Sequence, residues 1–205
     1  MRTLLIILIA IVVIAVLLVL WGISVYNGLI DLRNRVKNGW SQIDVLLKQR
    51  SDLVPNLVET VKGYAGHESG TLTAVTQARS GAVQAAAAST PSSSQAVAQR
   101  AQAENKLSSA LFNLMATVEA YPDLKANQNF MSLQNQLSDL EQKIAYARQF
   151  YNDVTQKYNT RIQTVPSNII AGLFHFEQSQ YFEAEPEAKQ APKVDFSNGA
   201  SSSGQ

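Results

Sequence analysis

The sequence predicts an all-α protein in which a single N-terminal transmembrane helix continues into an antiparallel bundle of three to four long helices. An uncharged apolar run begins at Leu4 and ends at Tyr26, and it exceeds the roughly 18 residues that indicate a membrane span. Beyond this run, apolar residues recur at seven-residue intervals, which indicates amphipathic helices that pack together. We therefore divide the chain into a transmembrane anchor (residues 1–26), a helical-bundle domain (27–185) and a disordered tail (186–205).

The apolar run is the predicted contact with the lipid bilayer. Leu, Ile and Val fill almost all of its first part, a composition that favours insertion as a helix. Trp21 and Tyr26 stand near its end, where aromatic rings settle among lipid headgroups. The alternative is a cleaved signal peptide, for which Gly22, Ile23 and Ser24 provide a small-x-small pattern. The run is longer than the apolar region of a signal peptide, and this favours a permanent anchor.

The basic residues that flank the run predict its orientation. Only Arg2 and the α-amine precede it, whereas Arg33, Arg35 and Lys37 follow it closely. The larger basic cluster usually stays in the cytoplasm. We therefore predict a single-pass protein of the cell (inner) membrane, with a short N-terminus outside and the C-terminal body in the cytoplasm. The low charge content of 16% would also suit a periplasmic body.

Composition excludes several classes of function. The 17 basic and 16 acidic residues balance, so no strong field attracts nucleic acid. The absence of cysteine removes disulfides, thiol catalysis and thiolate metal sites. Proline and glycine are scarce between the anchor and the tail, which agrees with long helices.

The first helix of the body continues directly from the anchor. Nine of eleven positions in two interleaved seven-residue series are apolar or aromatic, and the exceptions are Arg33 and Arg50. The nine are Leu29, Val36, Trp40, Ile43, Leu47, Val54, Leu57, Val61 and Tyr64. Pro55 lacks an N–H donor and its ring clashes with the preceding turn, so we predict a kink or short break over residues 52–55. Three glycines are predicted to end the helix: Gly63, Gly66 and Gly70.

Two further helices are predicted in the middle of the chain. The first covers residues 71–88 and has a thin apolar face. A low-complexity loop around Pro91 follows it. The next helix covers residues 94–121, and Pro122 stops it because the residue before a proline is displaced from the helical region.

The last long helix has the most regular pattern. Ten of eleven positions in its two seven-residue series are non-polar, and Arg161 is the exception. Asn127 or Asn129 is predicted to cap its N-terminus, and Pro166 follows its C-terminus. Amphipathic helices of this length need to pack their apolar faces together, so an antiparallel bundle is expected.

A dense apolar segment follows Pro166. Seven large apolar side chains occupy 14 residues, too many for one narrow helical face. They are Ile169, Ile170, Leu173, Phe174, Phe176, Tyr181 and Phe182. The segment is the candidate partner-docking site, because exposed apolar patches usually mark partners. Two other roles are open: it can cover the end of the bundle, or it can lie on the membrane interface, although no basic face accompanies it.

Three stretches of the body resemble the LemA family of bacterial membrane proteins. They are LRNRVKNGWSQIDVLLKQRSDLVPNLVETVKGYAGHE (residues 32–68), EAYPDLKANQNFMSLQNQL (119–137) and EQKIAYARQFYNDVTQKYNTRIQTVPSNIIAGLFHFEQSQYFEAE (141–185). Together they cover nearly all of the chain between the anchor and the tail. The resemblance implies a helical bundle on one N-terminal span, with the short N-terminus outside, and it implies no reaction.

Polar residues with catalytic or metal-binding potential are few. His67 and His175 are the only histidines and no cysteine can join them, so we predict no metal site, no cofactor and no catalytic residue. Arg33, Arg50 and Arg161 lie on the apolar stripes, where a charge is costly unless it is paired. Each is expected to reach the bundle edge or to pair with a carboxylate on a neighbouring helix. The sharper hypothesis is that such a pair sets the register of the helices.

These observations favour a non-enzymatic, membrane-anchored helical scaffold or adaptor that acts through protein–protein contacts. Its expected partner is another protein or further copies of the same chain. The alternatives are a membrane-proximal module that binds lipid or a small ligand, and a hydrolase that acts on envelope material. A hydrolase would have to use exposed carboxylates such as Glu59, Glu119 and Asp123, which are more typical of helix caps and surface pairs.

Overall fold

Six helices account for most of residues 1–64, 68–88 and 93–182, the part of the chain that this computed structural model describes. They are α1 (Arg2–Lys62), α2 (Ser69–Ala88), α3 (Ser94–Val118), α4 (Pro122–Lys125), α5 (Gln128–Gln163) and α6 (Ser167–Leu173). No strand occurs within those ranges. The all-α prediction is therefore confirmed.

Helix α1 combines the apolar run and the first helix of the body. Its 61 residues correspond to a rod about 90 Å long. Its first part is exposed on every side and is long and apolar enough to cross a membrane. Burial begins at Val25 and Leu29 and then follows the predicted seven-residue series as far as Val61.

Helix α1 runs through Pro55 without interruption, so the predicted short break is wrong, whereas the alternative, a kink, stays a prediction. A proline at this position cannot donate a hydrogen bond to the carbonyl oxygen of Ser51. That oxygen instead accepts a hydrogen bond from Nε of Arg79 in α2, at 2.8 Å. The second helix of the bundle thus supplies the donor that the proline removes.

The four long helices α1, α2, α3 and α5 alternate in direction, as predicted for an antiparallel bundle. Helix α1 packs along α5, and α2 forms a hairpin with α3. The side-chain oxygen of Asn127 accepts hydrogen bonds from the backbone N–H groups of Asn129 and Phe130, which confirms Asn127 as the N-cap of α5. Helix α3 ends at Val118, three residues before the predicted end. Pro122 opens the short helix α4, because its fixed φ suits a first helical position.

The bundle has two hydrophobic cores. The core nearer the apolar run joins α1 from Val25 to Leu47 with α5 from Ile144 to Ile162. The distal core joins the end of α1 with α2, α3, α4 and the start of α5, and it includes Leu107, Leu114 and Phe130. Charged side chains lie between the two cores, and they are described below.

Several predicted features lie outside the described residues. They are Gly66, His67, the centre of the loop around Pro91, and the tail over residues 186–205.

Candidate functional site

The apolar segment after Pro166 folds back toward α1. The end of α5 lies beside the start of the packed part of α1, and α6 extends from it to the level of Gly22. A Cβ atom placed on Gly22 would lie 3.5 Å from Cδ1 of Ile170. The ring of Phe174 lies 4.7 Å from the ring of Tyr26, measured between centroids. Helix α6 therefore sits where the apolar run meets the body.

The chain reverses direction after α6. His175 has a φ of 53°, in the left-handed region that histidine enters more readily than most side chains. Residues 176–182 then run along α1 and α5, away from the apolar run. We call these residues the strap. The guanidinium of Arg33 lies 5.2 Å from the ring centroid of Phe176 at the start of the strap. The ring of Phe182 lies 6.0 Å from that of Trp40 at its end.

Side chains of α5 hold the backbone of the strap. Asn159 accepts a hydrogen bond from the N–H of Ser179 (2.9 Å) and donates one to its carbonyl (2.8 Å). Asn152, seven residues earlier, makes the same pair of bonds with the backbone of Phe182, at 2.8 and 3.2 Å. An extended segment beside a helix has no neighbouring strand that could pair with its backbone. The side-chain amides of Asn152 and Asn159 provide these hydrogen bonds instead.

Two tyrosines complete this arrangement with the same seven-residue spacing. The hydroxyl of Tyr158 donates to the carbonyl of Glu177 (2.9 Å), and that of Tyr151 donates to the carbonyl of Gln180 (2.7 Å). Burial raises the pKa of Tyr151 to about 12, and burial also raises the pKa of Tyr158. Both hydroxyls therefore remain protonated donors throughout the neutral range.

The structure divides the seven predicted docking residues into two groups. Phe182 is only 1% exposed, and the guanidinium of Arg148 lies 4.7 Å from its ring centroid. Ile170 and Phe176 are half-buried against the core. The remaining four are exposed: Ile169, Leu173, Phe174 and Tyr181. The segment thus covers the core with one set of side chains and presents the other to the surroundings.

A layer of buried charge separates the two hydrophobic cores. Nη1 of Arg50 donates to the carboxylate of Glu141 on α5 and to the hydroxyl of Ser108 on α3, each at 2.7 Å. Its Nη2 donates to the carboxylate of Glu104, also on α3. Arg50 therefore pairs with carboxylates from two neighbouring helices, which confirms the prediction for this residue. Arg33 and Arg161 lie at the exposed edge of the bundle, which is the other outcome predicted for the arginines on the apolar stripes.

A second buried arginine completes the layer. Nε of Arg100 lies 2.9 Å from the carboxylate of Glu104, and its Nη2 donates to Asp44 on α1 at 3.3 Å. Burial lowers the pKa of Arg100, and the nearby carboxylates of Glu104 and Asp44 oppose that effect. One buried carboxylate thus serves two arginines, and the ion pairs join α1, α3 and α5.

An open groove runs between α3 and α5 beside this layer. Its volume is about 700 Å³. It is lined by Ser108, Ser109, Phe112, Asn113, Met115, Gln134, Leu137, Ser138 and Glu141. Phe112 is 75% exposed at its rim, and Met115 and Leu137 are the other apolar residues of the lining. The sequence pattern did not indicate this groove, because it depends on the separation of two helices rather than on either apolar stripe.

Metal binding finds no support among the described residues, where no group of three or more His, Asp or Glu side chains could hold an ion. His175 is exposed at the turn after α6. The buried carboxylate of Glu104 is already paired with two arginines.

Comparison with known proteins places the bundle in a family. The model of the LemA family matches residues 39–196. Magnetosome protein MamQ 2 of Paramagnetospirillum magneticum is 25% identical over 178 residues, which cover 78% of this chain and 65% of that protein. Magnetosome protein MamQ of Magnetospirillum gryphiswaldense is 24% identical over 180 residues, with the same coverage of 78% and 65%. Protein LemA of Metamycoplasma hominis is 25% identical over 158 residues, which cover 77% of this chain and 68% of that protein.

The match to the family model extends from the middle of α1 through α6 and the strap, and it includes both the buried charge layer and the groove. The chain spans 65% of the length of the magnetosome relatives. Because the family model covers well over half of the sequence, the chain belongs to the LemA family.

Proposed function

We propose that the chain is a non-catalytic scaffold or adaptor, anchored in the cell membrane by the start of α1, whose bundle binds another protein or a second copy of itself. The groove between α3 and α5 carries this proposal. It places the exposed ring of Phe112 beside Met115 on the surface of the bundle, and exposed apolar groups usually mark a partner surface.

The anchor supports the membrane part of the proposal. The first part of α1 is exposed on all sides, so it has no protein partner within the described residues that would cover it. Apolar helices of this length are stable when lipid surrounds them. The basic residues after Tyr26 favour a cytoplasmic body and a short external N-terminus.

The shape of the groove favours a helical partner. Helix-binding grooves are apolar channels between helices, into which a partner inserts side chains spaced by three or four residues. Phe112, Met115 and Leu137 supply apolar contacts here. Glu141 and Ser108 supply polar groups at the end that meets the buried charge layer.

Site-specific photo-crosslinking in native membranes tests this function. A benzophenone amino acid replaces Phe112 in the full chain, and the matched control replaces Tyr146, which is 73% exposed on α5 but does not line the groove. We expect a discrete protein adduct from position 112 and none from position 146. An adduct of twice the chain mass identifies a second copy, and any other discrete mass identifies a different partner. Absence of an adduct at 112, or equal adducts at both positions, contradicts the proposal.

A further inference from the structure

Helix α6 occupies a fixed level along α1. Its Ile170 approaches Gly22, and the ring of Phe174, directly after α6, contacts that of Tyr26 at an interplanar angle of 56°. Gly22 is the residue that follows Trp21, and the helical rise places consecutive residues about 1.5 Å apart along the axis. If lipid surrounds α1 as far as its aromatic residues, the headgroup layer lies at the level of α6. This premise is the membrane anchoring stated under the proposed function.

The outer surface of α6 is uncharged, and its large side chains are apolar, with Asn168 as an exposed polar residue at its start. No charged residue occurs from Val165 to Phe174. Ile169 is 65% exposed and Leu173 is 69% exposed, whereas Ala171 packs into the core. Large aliphatic side chains with this exposure are costly in water, and they are stable where a helix lies in the boundary between headgroups and acyl chains.

We propose that α6 is a second membrane contact, which lies in the interfacial layer beside the span and inserts Ile169, Leu173 and Phe174 among the lipids. The exposed surface of α6 continues the exposed apolar surface of α1, and both surfaces meet at Gly22 and Tyr26. Lipid that covers one therefore reaches the other, whereas a soluble partner would have to displace lipid in order to bind there.

The reversal at His175 agrees with this position. The chain runs along α5 toward the apolar run and forms α6 at the end of the body nearest that run. It then returns in the opposite direction as the strap. The first charged residue after α6 is Glu177, and the side chain of Arg33 lies over Phe176. After α6, charged groups therefore begin where the strap leaves the proposed interfacial layer.

Single-cysteine labelling tests this inference on the full chain, which contains no cysteine of its own. Leu173→Cys and, separately, Ile169→Cys are labelled with a nitroxide and reconstituted in vesicles of phosphatidylethanolamine and phosphatidylglycerol. Collision rates of the label with oxygen, which concentrates in lipid, and with a water-soluble nickel chelate are then measured. Ile14→Cys, within the span, is the lipid reference, and Tyr146→Cys, exposed on α5 and outside the groove, is the aqueous reference.

We expect the ratio of oxygen to nickel collisions at positions 169 and 173 to be several-fold higher than at position 146 and to approach the ratio at position 14. A ratio at both positions equal to that at 146, with position 14 in lipid, overturns the inference and leaves the anchor intact. Shielding of both positions from both reagents also overturns it, because it indicates a protein cover. An aqueous ratio at position 14 overturns the anchor and the inference together.

Discussion

Nε of Arg79 lies 2.8 Å from the carbonyl oxygen of Ser51, four residues before Pro55. The contact explains how a helix of 61 residues can contain a proline without a break. It also ties α2 to the C-terminal part of α1, through a backbone acceptor that Pro55 leaves without its usual helical donor.

The first prediction concerns this contact. Arg79→Met leaves the carbonyl of Ser51 without a donor and should lower the free energy of unfolding by about 1–3 kcal/mol. In a Pro55→Ala background the backbone N–H of residue 55 can donate to the carbonyl of Ser51. Arg79→Met should then lower the free energy of unfolding by clearly less. Denaturant unfolding of the full chain in detergent, followed by circular dichroism, gives both values. Equal costs in the two backgrounds would show that the contact does not compensate for the proline.

A second prediction concerns the buried charge layer. Arg50→Met leaves the carboxylate of Glu104 with one arginine instead of two and should destabilise the fold by about 3–5 kcal/mol. The matched control is Arg161→Met, because Arg161 lies on an apolar stripe but is exposed. Its replacement should lower the free energy of unfolding by less than about 0.5 kcal/mol. The midpoint of unfolding measures both. A stabilised Arg50→Met variant would mean that desolvation of the charges outweighs their pairing.

The third prediction concerns the side chains that hold the strap. Asn159→Leu removes the donor and the acceptor that pair with the backbone of Ser179. Hydrogen exchange should therefore accelerate at the amides of residues 177–182, while the amides in the middle of α5 keep their protection. Asn34→Leu, at an exposed position of α1, is the control and should leave exchange in the strap unchanged. If the strap exchanges at the same rate in both variants, the amide of Asn159 does not hold it.

A fourth prediction follows from the raised pKa of Tyr151. The folded value is about 12 and the ordinary value is 10.0. Between pH 10 and 12 the unfolded chain releases this proton while the folded chain retains it, so stability falls as the pH rises through that window. The loss should amount to about 2 kcal/mol. Tyr151→Phe should flatten the decline, and the exposed Tyr146→Phe should leave it unchanged. Identical pH profiles for all three chains would contradict the assignment.

The seven-residue stripes predicted the long helices well, because burial in a bundle requires this spacing whatever the partner helix is. They also marked Arg50 as an exception within an apolar face. Its partners Glu104 and Glu141 could not be identified from the sequence, because they depend on how far α3 and α5 are rotated and shifted relative to α1.

The strap shows a different limit of prediction from the sequence. Tyr151 and Tyr158, like Asn152 and Asn159, repeat at a spacing of seven and could have indicated a polar line along α5. Their partners are backbone groups, which carry no sequence identity, so the pattern did not say what they bind. The break predicted at Pro55 failed for a related reason, since the donor that compensates for it belongs to another helix.

The burial of Phe182 against Trp40 fixes the position of the strap's end along α1. Fourteen residues of α1 separate Trp40 from Tyr26, so this end stands about 21 Å further along the rod than the aromatic rings at the end of the apolar run. A thiol label at the neighbouring exposed position, introduced as Tyr181→Cys, would consequently report which side of the membrane the bundle occupies without disturbing α6.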